Sequence, residues 1–395
     1  MNFPEQIKIY GLLFLLPFAL VLILVPSSVR LAQRIGALDY PEERKIHTGP
    51  VPRLGGLAIS TAIWLSILVG FALNRYLRAE LPTVAGMVFG SIVILGLGIY
   101  DDVRNAPPLA KLAVQLIAAG IAVSLGIKFQ LASNPLAEVM RNYFELGALA
   151  IPLSILWIIG LTNAMNLVDG LDGLATGIAL FASVALFLIS MKQGAGVVTY
   201  FYVTIAGANL AFLKFNRHPA QVFLGDSGAT SLGFLLACLS IQGGQKSYTL
   251  TALFIPLIVF GIPIFDSITA LIRRYLSNAK LQQADSQHIH HQLLRAGLTQ
   301  RQAVWILYAM TIILGIIGFC FTVLLDQYAA VIVIIIGVLG GFVAKELNVF
   351  GRERQMMERE FRYFQSRDSE ENAQPPETNP ARRATGVRDE QKFKQ

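Results

Sequence analysis

Charge is scarce in this chain. Asp, Glu, Lys and Arg make up 14% of its 395 residues, where a soluble domain carries about a quarter. An ordinary soluble globule is therefore excluded. With 54% hydrophobic residues and a mean hydropathy of +0.57, the composition is that of a polytopic membrane protein. Cysteine is nearly absent. Cys238 and Cys320 both sit inside apolar runs and are read as packing residues, with no disulfide framework. No His-Glu-x-x-His occurs, which removes the helix an intramembrane metalloprotease would need. No repeat at a fixed period is visible either. The first apolar run, 7–25, carries Pro17 and lacks a basic start and a small-residue cleavage site. It reads as a retained span rather than a signal peptide. The net charge of +7 does not point to nucleic acid, because Lys and Arg in a membrane protein mark cytoplasmic loops and anionic lipid contact.

What is abundant is apolar sequence. Runs able to cross a bilayer need about 20 mostly apolar residues, and the chain has about eleven: roughly 7–26, 55–73, 83–100, 109–126, 146–162, 173–191, 197–213, 228–242, 250–272, 302–324 and 328–347. The expected fold is an all-α polytopic membrane protein. It is expected to comprise an integral membrane domain over 1–347 and a polar, disordered tail over 348–395. With the N-terminus outside, the loops facing the cytoplasm hold about fourteen Lys and Arg against about seven opposite, which satisfies the positive-inside bias.

That charge-derived topology gathers the polar clusters on one side. Asn163, Asn166, Asp169 and Asp172 recur at every third position just after an apolar run, a spacing that puts third neighbours on one helix face. Gly170 and Gly173 beside them allow close approach. Asp101 and Asp102 are adjacent at the end of the third run, where two like charges resist joint ionisation unless a cation neutralises them. Asp226 sits in Gly225-Asp226-Ser227-Gly228, small neighbours that keep the carboxylate accessible, at a helix start whose amides suit an anion. Such oxygen donors suit Mg²⁺, which binds through one or two carboxylates plus substrate phosphates, with Mn²⁺ as a substitute. Three of the five histidines fall in His288-Ile289-His290-His291. No Cys is near, and His290 does not share the helix face of His288 and His291, so phosphate contact with Arg295 fits better than zinc. Lys45 and His47, close to Arg53, are further candidates for substrate binding, and His218 before Pro219 reads as a loop residue. Polar groups at a membrane edge mark a functional site by default. A coupled transporter would place its acids near the bilayer midplane, whereas these lie at one rim. A basic rim around an acidic centre in a membrane fits transfer from a nucleotide-linked substrate to a lipid-borne phosphate.

Five motifs in order complete the pattern: Asp101-Asp102, the 163–173 stretch, Gly225-Asp226-Ser227-Gly228, Pro263-Ile264-Phe265-Asp266, and His288-Ile289-His290-His291 running into Leu294-Arg295-Ala296-Gly297. In these the chain resembles the bacterial polyprenyl-phosphate N-acetylhexosamine-1-phosphate transferases over about residues 5–347. The resemblance implies an eleven-span fold with a cytoplasmic active site in the bacterial plasma membrane. It implies transfer of a sugar 1-phosphate from a UDP-sugar to undecaprenyl phosphate with release of UMP, with a homodimer as one option for assembly. It also implies roles: Asp226 and Asn166 as metal ligands, Asp101 and Asp102 at the lipid phosphate or metal, and Asp169 and Asp172 by the nucleotide and metal. Asn163 would bind substrate, and His288, His290, His291 and Arg295 would hold the donor's diphosphate. Asn105 stands where many relatives carry an acid. His-Ile-His-His follows the UDP-N-acetylglucosamine branch, while the peptidoglycan branch, which transfers phospho-N-acetylmuramoyl-pentapeptide, usually has three consecutive histidines.

Overall fold

The computed structural model describes residues 3–40, 49–73, 81–129, 131–132, 144–194, 196–244, 251–276 and 288–323, all within a compact unit over Met1–Val333. Lys45, His47, the run 328–347 and the tail 348–395 lie outside the described residues.

The described chain is almost wholly helical. Its helices are α1 Phe3–Ile35, α2 Gly55–Leu73, α3 Leu81–Arg104, α4 Pro108–Ser124, α5 Ala150–Val168, α6 Leu174–Gln193, α7 Val197–Asn216, α8 Gly225–Gly244, α9 Thr251–Val259, α10 Gly261–Leu276, α11 Ile289–Arg295 and α12 Gln300–Val323. Two antiparallel two-residue ladders join them: β1 (Leu38–Asp39) with β2 (Val51–Pro52), and β3 (Leu131–Ala132) with β4 (Phe144–Glu145).

Among the described residues, seven helices are long and apolar enough to cross a membrane: Gln6–Ile35, Gly55–Leu73, Leu81–Arg104, Gly147–Val168, Leu174–Gln193, Val197–Asn216 and Gln300–Thr322. The chain is thus an all-α, multi-pass membrane protein. Three further expected spans are helical but of different character. α4 has 17 residues. α8 has 20 residues but carries Asp226, Thr230, Gln242 and several serines, because it packs against α2, α3 and α5 rather than against lipid. The run 250–272 is two helices, not one. Pro263 has no N–H to offer the Val259 carbonyl four residues back, so the chain breaks between α9 and α10.

α7 is the most enclosed of the seven, with 83% of its apolar window buried, between α1, α2 and α6. Its lower hydropathy follows from facing protein. Hydroxyls inside the bundle mostly turn back on their own helix: Ser66 donates to Ala62 O, Ser154 to Ala150 O, Thr162 to Ile158 O, Thr204 to Tyr200 O and Thr311 to Leu307 O. Such bonds keep a polar side chain tolerable where no water competes.

Close helix contact positions the polar end of the bundle. A Cβ on Gly98 of α3 would overlap the Ser227 backbone of α8, and one on Gly56 of α2 would overlap Gly228. These approaches bring the end of α3 and the starts of α2 and α8 together. The β1–β2 ladder finishes the job. Arg53 N–H donates to Ala37 O, Phe223 N–H to Pro52 O, Gly55 N–H to Phe223 O and Gly56 N–H to Leu224 O, so the segments around residues 38, 53 and 224 form one seam.

Candidate active site

The centre of the site is built where α3 ends and α8 begins. Asp102, on the last turn of α3, accepts the backbone N–H groups of Asp226 at 2.8 Å and Ser227 at 3.0 Å. The anion expected at this helix start is therefore the protein's own carboxylate, which caps the first turn of α8 from another helix. Gly225 adopts φ +73 to make the turn. A Cβ there would overlap the Arg53 carbonyl and press on both Asp102 oxygens.

Asp101 and Asp102 are almost fully buried, at 4% and 7% exposed. Asp101 accepts the Ala106 N–H at 2.7 Å, a bond made possible by Asn105 turning the chain at φ +52. Asn is among the few non-glycine residues that adopt that left-handed conformation readily. Lys111, from the first turn of α4, forms an ion pair with Asp101 and a second, at 3.0 Å, with Asp226 Oδ2. The other Asp226 oxygen accepts the Asn166 amide of α5 at 2.9 Å. Asp101, Asp102, Asp226, Asn166 and Lys111 thus form one contiguous network drawn from α3, α4, α5 and α8.

The expected stripe of four polar residues does not hold as one helix face. α5 stops at Val168, Asp169 caps it, and the chain turns through 169–173, where Gly173 takes φ +80. Only Asn163 and Asn166 remain on the helix. Asn163 pairs with Gln115 of α4 in both directions, at 2.8 and 3.2 Å. Asp169 turns toward the centre. Burial, then the charges of Asp226, Asp102 and Asp172, hold its carboxyl well above the usual carboxylate range. Asp172 turns the other way, and its Oδ2 meets His218 Nδ1 at 2.7 Å and the Ala220 N–H at 3.1 Å.

The histidine segment docks onto the same turn. Asp266 of α10, 2% exposed, holds His288 Nδ1 at 3.0 Å and the Ile289 N–H at 2.9 Å. His288 and His290 lie parallel, 5.7 Å apart, and His291 packs on His290 at 4.2 Å. His290 is 3% exposed, and a Cβ on Gly170 would run into its ring. Burial, reinforced by His291, pulls the His290 pKa down to about 4. His290 is therefore neutral at pH 7. Arg295 lies at the exposed end of α11, its Nε 3.4 Å from the His291 carbonyl.

Four residues stand out that sequence reasoning passed over. Lys111 carried a signal, since it is the lone cation at the start of an apolar helix. Gln115 lies one turn further along that face. Asp266 was visible as a motif but not as the anchor of His288. His218 contacts Asp172 from a distant loop, which spacing does not reveal. Arg53, conversely, is committed to an ion pair with Asp39.

Among the described residues, no three His, Cys, Asp or Glu side chains are grouped so that they could hold a metal ion on their own. The donor chemistry nonetheless suits Mg²⁺ held partly by substrate. Asp226 keeps 34% of its side chain exposed, and Asp101, Asp102 and Asp169 cluster around it with Lys111 as the only paired cation in the described network. Hard oxygen donors with uncompensated negative charge are what that ion takes, completed by phosphate and water.

The chain belongs to glycosyl transferase family 4, whose model matches residues 84–244. Within that family it is 37% identical over 310 residues to the probable undecaprenyl-phosphate N-acetylglucosaminyl 1-phosphate transferase of Bacillus subtilis (strain 168), covering 78% of this chain and 82% of the relative. It is 32% identical over 310 residues to the decaprenyl-phosphate N-acetylglucosaminephosphotransferase of Mycobacterium tuberculosis (strain ATCC 25618 / H37Rv), covering 73% and 76%. The phospho-N-acetylmuramoyl-pentapeptide-transferase of Clostridioides difficile (strain 630) is 28% identical over 317 residues, covering 76% and 94%.

Proposed function

We propose that the chain transfers N-acetylglucosamine 1-phosphate from UDP-N-acetylglucosamine to undecaprenyl phosphate. The reaction releases UMP and leaves a lipid diphosphate sugar. The observation that carries this reading is the network of Asp101, Asp102, Asp226, Asn166 and Lys111 at one end of the bundle, in a chain 37% identical to a relative named for that transfer. The eleven-span topology, the cytoplasmic face of the site and Mg²⁺ dependence are parts of the same proposal.

A phosphate oxygen of the lipid attacks the phosphorus that carries the sugar. The bond from that phosphorus to the bridging oxygen breaks, and the bridging oxygen leaves with UMP. The lipid phosphate is already ionised near pH 7, so no general base is required and displacement is direct. Lys111, shared between Asp101 and Asp226, offsets one of their two charges and presents a cation to the approaching phosphates. Asp102 fixes the first turn of α8 and with it the direction of Asp226. Asp226 and Asn166 would hold Mg²⁺, which when bound supplies positive charge to the diphosphate. Asp172, tied to His218, orients the turn that also carries Asp169. His291 and Arg295, at the exposed side of α11, take the donor's diphosphate, with His288 and His290 behind them.

The test is UMP release by purified protein in detergent with undecaprenyl phosphate, UDP-N-acetylglucosamine and Mg²⁺, with and without EDTA. Release that needs both lipid and metal is expected. Release only with the UDP-muramoyl pentapeptide as donor would move the chain to the peptidoglycan branch, and metal-independent release would remove Mg²⁺ from the reading.

A further inference from the structure

Most buried hydroxyls in this bundle bond to their own helix, but Ser91 of α3 and Ser231 of α8 do not. They are 4% and 6% exposed, and among the described residues neither Oγ has a hydrogen-bond partner. Both line one small pocket, together with Ser60, Ile63 and Trp64 of α2 and Leu232 and Leu235 of α8. The cavity volume is about 10 Å³, close to the smallest that admits one water molecule. Apolar cavities stay dry, whereas a cavity with several converging polar groups retains a water that bonds to them. Here two unpartnered hydroxyls and a third serine, itself 6% exposed, come from three different helices.

We infer that this cavity is an ordered-water site. One water bonds the Ser91 and Ser231 hydroxyls, with Ser60 as the third polar group of the wall. The site lies below the acidic centre on the same helices. Ser231 is one to two turns past Asp226, about 7.5 Å along α8, and Ser91 is about 15 Å before Asp101 along α3. The water therefore ties α3 to α8 at a second level, beneath the Asp102 bonds to the first turn of α8. It belongs to the resting architecture and does not depend on the identity of the donor or acceptor.

The sign of a stability change tests it. In full-length protein in detergent, Ser91→Ala and Ser231→Ala should each lower the unfolding midpoint by about 2 °C. The double variant should be no worse than the weaker single, because the first substitution already breaks the bridge. A midpoint that is unchanged or rises in either single means the pocket is dry and the hydroxyl was an uncompensated burden. Losses that simply add mean that packing, not a shared water, was removed. Either result overturns the inference. A density map that resolves waters gives the second readout: a peak between the two hydroxyls, gone in the double variant, is expected, and an empty pocket in the unaltered protein refutes it.

Discussion

Asp102 does a job that its neighbour does not. Its two oxygens take two backbone N–H groups of α8, so Asp102→Ala strands both donors in a buried place. A stranded donor costs about 1–3 kcal/mol, and a clear drop in thermal stability should accompany the loss of turnover. Asp226→Asn should behave differently. Its side chain is partly exposed, so the fold should survive while metal-dependent UMP release falls about 10³-fold or more, the equivalent of ~4 kcal/mol in the barrier. Equal stability losses in the two variants would contradict this division. His290 makes a further prediction through protonation. Its folded pKa is lowered, so the unfolded chain binds more protons between about pH 6.5 and 4. Stability contributed by neutral His290 is therefore full above pH 6.5 and declines as pH falls through that window. His290→Gln should flatten that part of the acid limb in a thermal-shift titration, and an unchanged limb would assign it to other groups.

At the scale of elements, the 169–173 turn is the joint on which two parts of the site meet. Tyr308 of α12 donates to the Gly173 carbonyl at 2.6 Å, the 216–222 segment holds Asp172, and His290 presses on Gly170. Gly170→Ala should displace the histidine segment and cut kcat/KM about tenfold. Adding His290→Ala should recover part of that loss if the collision is the cause, and a strictly additive double variant would exclude it. Much of this was legible from sequence. The acids, amides and histidines announced themselves by clustering, and the long apolar runs gave helices where the described structure has them. The turn was not legible, because a three-residue spacing reads as a helix face until Gly170 and Gly173 end the helix. Nor were the bonds of Lys111 to Asp226 and of His218 to Asp172, whose partners lie 115 and 46 residues away. The split of 250–272 was written in Pro263, yet in a membrane a proline can equally be a tolerated kink.

For the whole molecule, the described site contacts run from Asp39 to Tyr308, with Arg301 donating to the His218 carbonyl on the way. The polar sequence that follows the last apolar run, with Pro375-Pro376 and mixed charge, has the composition of a segment with too little apolar surface to build a core. Catalysis should therefore be independent of it. A chain ending at Gly351 should insert, purify and release UMP within about twofold of the full chain, the margin expected when only surface groups are lost. A folded but inactive truncation would mean that tail residues reach the site and that the acidic centre is incomplete without them. A truncation that is active but shifted to a higher salt optimum would instead place the tail's basic residues at the lipid surface, where Lys and Arg add affinity that ionic strength screens.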